Sequence, residues 1–112
     1  MKIYLAIPYS GIEKESFVIA NKVSAILMKQ GFIVFSPISH SHPMSIQEGT
    51  PGNWEYWEKF DRSFIEWADK VIVVVMGKEG YRLIDKSTGV KAELGIANEL
   101  HKPIEYYFHE TI

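Results

Sequence analysis

The chain has 112 residues, 46% of them hydrophobic, which is room for a single domain over residues 1–112 with one packed core. Its formal charge is −2, with Lys and Arg scattered, so no electrostatic footprint for a nucleic-acid polymer exists. It contains no cysteine, which removes disulfides, thiolate nucleophiles and zinc–sulfur sites together and suits a reducing cytoplasm.

Residues 2–7 form an apolar run that reads as a buried strand, stopped by Pro8-Tyr9-Ser10-Gly11. This start is too short for a signal sequence. No run approaches the roughly 18 apolar residues of a membrane span, so no membrane partner is expected. Residues 13–30 have helical spacing, with Phe17, Ala20, Val23 or Ser24, Leu27 and Met28 inward and Gly31 just past the end. Residues 32–35 are a second apolar strand. Two apolar strands around one helix predict a parallel sheet with a right-handed crossover.

Residues 36–52, rich in Ser, His and Pro, read as an irregular binding loop or lid. Asn53 is placed to cap a helix running to about Ala68, with Trp57, Phe60, Phe64, Trp67 and Ala68 as its core stripe. Asp61 falls inside that stripe. Residues 70–76 are the central strand, and 77–86 a turn-rich loop. The turn Ser87-Thr88-Gly89 opens a helix to about Lys102, and its N-terminal N–H groups form a generic anion site. Val90, Leu94, Ala97 and His101 share one face of it, and Glu93 lies in that face. Residues 103–108 complete a β-α-β-α-β-α-β order. The predicted fold class is α/β, a flavodoxin-like or Rossmann-like three-layer sandwich with a small parallel β-sheet.

Two carboxylates on apolar faces are the main chemical signal. Glu93 near a helix N-terminus is desolvated yet favoured as an anion by the dipole, and Asp61 could face it across the crevice. Such a pair suits glycosidic chemistry, one group attacking the anomeric carbon and the other exchanging a proton with the leaving group. Each could equally be a structural acid satisfied by Arg82, a lysine, a Trp or Tyr group or a backbone cap. His40 and His42 read as substrate contacts or a packed loop rather than half a metal site, and His101 as a group serving its helix dipole. Trp54 is a core residue or a base-stacking one. No Walker A spacing, G-x-G-x-x-G turn or nucleophile elbow occurs, and no cofactor is called for.

Three stretches together resemble the nucleoside 2-deoxyribosyltransferase family, which includes small 2′-deoxynucleoside 5′-monophosphate N-glycosidases. Tyr4-Leu5-Ala6-Ile7-Pro8 resembles its first strand, Y-L-A-G-P. Asp61 with Ala68-Asp69 resembles its D-x(6)-A-D segment, and Ser87 to Gly95 its S/D-x-G-x-x-x-E-x-G segment. The resemblance implies Glu93 as nucleophile, Asp61 as acid/base and Tyr4 as the group orienting the catalytic acid. It implies a small-molecule nucleoside or nucleotide as partner, with Pro8, Tyr9, Ser10, His40, His42, Trp54, Ser87 and Gly89 as its contacts, and at least a homodimer. Ser87, where transferases tend to carry Asp, leans toward a 5′-monophosphate. Ile7 stands where the family has glycine, and the segment over residues 39–44 is not shared with its well-studied members. Cleavage or exchange of an N-glycosidic bond is one reading; a non-catalytic nucleotide-binding or sensing module on the same fold is the alternative.

Overall fold

The computed structural model describes residues 1–50 and 54–110, and of Trp54 the backbone. Its first strand, β1 (Lys2–Ala6), pairs in parallel on both sides, with β2 (Ile33–Phe35) and with β3 (Lys70–Met76). β4 (Ile104–His109) adds to the far side of β3, giving the order β2-β1-β3-β4. The expected parallel sheet is therefore present. Its order reverses between β1 and β3, and in open α/β sheets that switch point is where a crevice forms at the strand carboxyl ends.

The period-two alternation of β1 divides the core. Ile3, Leu5 and Ile7 meet Ile72, Val74 and Met76 under helix α1 (Glu13–Lys29). Tyr4 and Ala6 meet Val71, Val73 and Val75 on the opposite face, under two helices, Trp54–Trp67 and Thr88–Glu99. In chain order the helices after α1 are α2 (Pro37–Ser45), α3 (Trp54–Trp67), α4 (Gly80–Lys86) and α5 (Thr88–Glu99). None of the described helices is long and apolar enough to cross a membrane.

Two segments differ from the sequence expectation. Residues 36–52 are not irregular throughout, since α2 occupies about half of them. Ser36 caps it, its hydroxyl accepting from Ser39 N–H at 3.3 Å, and Pro37 takes the first helical position, where its missing N–H costs nothing. Residues 77–86 hold α4, packed so closely that Gly80 abuts Val75 of β3. Helix faces also shift. In α1 the buried set is Ser16, Ile19, Ala20, Val23, Ser24 and Leu27, whereas Met28 is exposed and Phe17 packs on His42 of α2. In α3 the most sheltered positions are Asp61 and Ile65, flanked by the half-buried Phe60, Phe64 and Trp67. The expected cap Asn53 lies outside the described residues.

Helix ends follow backbone chemistry. Gly31, at φ +97°, ends α1, and Phe32 N–H reaches Leu27 C=O at 3.2 Å. His101 does the same for α5 at φ +57°, with Lys102 N–H on Ala97 C=O at 2.8 Å. It therefore terminates the helix through its backbone and is exposed, not part of the apolar face expected for it. Asp69 also has a structural place, its carboxylate accepting from Lys2 N–H at 2.8 Å where β1 starts, at the opposite end of the strand from the crevice.

Candidate active site

Tyr4 is the pivot of the crevice. Its side chain is fully buried on a strand paired on both sides, facing α3 and α5. In that layer its hydroxyl donates to Glu93 Oε2 and also interacts with Asp61. Asp61 is the eighth residue of α3 and Glu93 the sixth of α5, and they are 9% and 6% exposed. Three polar groups from three elements thus meet inside an otherwise apolar layer.

Burial dominates the electrostatics. It raises Glu93 above the ordinary carboxylate range, and the neighbouring Asp61 charge adds to the rise against the Tyr4 hydrogen bond. Burial raises Asp61 in the same direction, again opposed by Tyr4. Two charges so close repel, so ionisation of one member disfavours ionisation of the other. Tyr4 is itself driven well above an ordinary phenol, by burial first and then by the two carboxylates, and stays an O–H donor. The dipole-stabilised anion expected at Glu93 is corrected by this geometry. As the sixth helical residue it lies beyond the first turn, where the dipole acts, and the Val90 N–H is taken by Ser87 Oγ at 3.1 Å. Arg82, one of the expected structural partners, instead pairs with Glu79 at 3.6 Å in the solvent.

A cavity of about 190 Å³ opens onto Asp61 and Glu93. Of the binding residues expected from sequence, Tyr9, Ser10, His42, Ser87 and Gly89 line it. Pro8 does not; it is buried, and its carbonyl accepts the Ser16 hydroxyl. Nor does His40, an exposed residue whose ring lies 5.6 Å from Phe35 and 5.4 Å from Phe60. The Trp54 side chain lies outside the described residues. Ile7, in place of the family glycine, is 3% exposed and forms part of the wall.

Sequence reasoning missed the face of α2. Ile38, Ser41, His42 and Ser45 all line the cavity. They stand at i, i+3, i+4 and i+7, a helical stripe concealed because two of its members are hydroxyls and not hydrophobes. His42 is fixed there, with Nδ1 2.5 Å from the Tyr9 hydroxyl and its ring 4.8 Å from that of Phe17. Trp57, read as a core residue, also borders the cavity. Among the described residues no lysine or arginine lines this space, and no group of three His, Asp or Glu is placed to hold a metal ion. The arrangement offers two buried carboxyl groups of raised pKa and a hydroxyl between them, with an entry lined by hydroxyl and imidazole groups.

The profile of the family described as Domain of unknown function (DUF1937) matches residues 1–109. Curated proteins gave no significant match. Among solved structures, the chain is similar to a 2-deoxyribosyltransferase from the psychrotolerant bacterium Bacillus psychrosaccharolyticus, at 28% identity and a TM-score of 0.68. That alignment covers 96% of this chain and 72% of the other. A 2-desoxiribosyltransferase from Leishmania mexicana matches at 17% identity and a TM-score of 0.63, over 96% of this chain and 63% of its own length, a likeness of fold. These similarities bear out the resemblance carried by the three sequence stretches and the α/β three-layer architecture.

Proposed function

The chain belongs to the family described as Domain of unknown function (DUF1937), and from that premise we propose that it cleaves or exchanges the N-glycosidic bond of a (deoxy)nucleoside, preferentially as the 5′-monophosphate. The observation that carries this reading is the Tyr4 hydroxyl set between two buried carboxylates at the switch point of the sheet. The structural similarity to a 2-deoxyribosyltransferase supports the substrate class.

In this mechanism Glu93, as carboxylate, attacks C1′ of the sugar. The C1′–N bond breaks, its electron pair goes to the base, and protonated Asp61 delivers a proton to the leaving base. Water, or the nitrogen of a second base, then attacks C1′ from the vacated side. Asp61 takes up a proton and Glu93 departs as the carboxylate. The cycle requires the charge on Glu93 and the proton on Asp61; burial raises both groups, Glu93 to about 8 and Asp61 to about 7, so the proton on Glu93 must be lost or passed on before attack. Tyr4, bonded to Glu93 Oε2, favours charge on the nucleophile. Ser87 and Gly89, at the N-terminus of α5, supply the end suited to a phosphate. A homo-oligomer is part of the proposal. Tyr106 and Phe108, 52% and 60% exposed on the edge strand β4, give it an apolar surface.

The test is chromatographic detection of free base after incubation with ribo- and deoxynucleosides and their 5′-monophosphates, with and without a second base. Base release that disappears in Glu93→Ala supports cleavage, and exchange dependent on the added base supports transfer. Turnover unchanged by Glu93→Ala would refute the mechanism. Ile7 in the wall motivates the second reading, a nucleotide sensor, for which ligand binding without any product is the signature.

A further inference from the structure

Resting on the nucleotide reading above, we infer that α2 is the wall that reads the base, with His42 donating to and Ser45 accepting from the polar edge of the heterocycle. The cavity lining around the Asp61–Glu93 pair includes two helix termini of opposite polarity. Ser87 and Gly89 belong to the N-terminus of α5, which favours an anion. Ser41, His42 and Ser45 belong to the second half of α2, whose carbonyl end carries partial negative charge. With no cation among the described lining residues, a phosphate is disfavoured beside α2 and an uncharged ring is not. Ile38, on the same stripe, gives the ring an apolar contact.

The hydrogen-bonding polarity of this wall follows from its internal bonds. The Tyr9 phenol lies 2.5 Å from His42 Nδ1; in the arrangement we infer, it donates to that nitrogen, which puts the imidazole proton on Nε2 as a donor to the ligand. The Ser45 hydroxyl donates to the His42 carbonyl at 2.8 Å, so its oxygen is left to accept. A donor on His42 and an acceptor on Ser45, three residues apart on one helix face, are the two kinds of group that a nucleobase edge, with its own acceptors and donors, can engage. Tyr9, by this account, is a positioning residue that sets the tautomer of His42.

The experiment is calorimetric titration of a Glu93→Gln protein, in which nothing turns over, with the four 2′-deoxynucleoside 5′-monophosphates. His42→Phe keeps a ring against Phe17, and Ser45→Ala alters an exposed side chain, so both variants are expected to retain the wild-type circular dichroism. The expected result is unequal affinity for the four nucleotides, with the preferred one weakened about fivefold or more by either substitution and discrimination compressed accordingly. Ser87→Ala, by contrast, weakens all four by one common factor. If His42→Phe and Ser45→Ala weaken all four equally, or change none, α2 does not read the base, while the cleavage mechanism stands. If no nucleotide binds even before these changes, both readings fall together.

Discussion

Replacing Glu93 by Gln tests whether the buried carboxylate pair stores a pH-dependent cost in the fold. Burial, with the Asp61 charge, pushes the Glu93 pKa up to about 8 from an ordinary 4.5. The folded state therefore keeps a proton that the unfolded chain has released. As far as this group is concerned, stability is greatest below about pH 4.5 and is lost as pH rises toward 8. Each pH unit is worth about 1.36 kcal/mol, so the charged form costs the fold about 4–5 kcal/mol. Asp61, pushed up to about 7, contributes in the same direction. Glu13 and Asp69, both lowered chiefly by backbone hydrogen bonds, act oppositely in the acid range, where protonation removes their contribution. Gln keeps the shape of Glu and can still accept from the Tyr4 hydroxyl, but it does not ionise. Urea unfolding at about pH 5, 7 and 9 is the assay. The variant should match wild type near pH 5 and exceed it by about 3–4 kcal/mol at pH 9, while losing turnover. Parallel pH profiles for the two proteins, or a wild type that gains stability from pH 5 to 9, would show that the pair is not held protonated by burial.

Tyr4→Phe preserves the ring in its layer and deletes the donor that lowers both carboxylates. The acid limb of the pH–rate profile, which reports ionisation of Glu93, should move up by about one pH unit, with reduced turnover at neutrality. Gly80→Ala places a Cβ 2.9 Å from the Val75 carbonyl carbon, backbone that a side-chain rotation cannot move. It should destabilise the protein by about 1–3 kcal/mol in thermal or chemical unfolding. His101→Gly relieves a left-handed residue at φ +57° and should stabilise it by about 0.5–1 kcal/mol, seen as a higher melting temperature.

The sheet was legible because its inner strands, β1 and β3, are apolar on both faces, and a parallel sheet covered on both sides demands that pattern. Glu93 and Asp61 were legible for the opposite reason, as charges placed where an apolar stripe should continue. Tyr4 carried no such mark. A tyrosine in a buried strand is indistinguishable from a packing residue until its hydroxyl has a partner, so its place came from the family resemblance. The α2 helix was hidden by composition, since serines, histidines and prolines are loop residues by frequency. The Ser36-Pro37 start was the available clue, and tertiary packing of Pro37 and Ser41 does the rest. Phe17 left its expected stripe because His42 supplies a ring for it to cover, a contact between elements that spacing along α1 cannot reveal.

The contrast between β1 and α2 also sets how the two halves of the cavity breathe. Tyr4 is on a strand bonded on both sides, so its amide should exchange with solvent at the rate of global unfolding. Helix α2 buries just Pro37 and Ser41 and contains Pro43, so its amides should exchange through local opening at far lower cost. A ligand seated between them would slow exchange in both, but in α2 the slowing would appear at the short exchange times of local opening, long before β1 exchanges at all. Occupancy of the cavity could thus be read from one short helix, with no chemistry taking place.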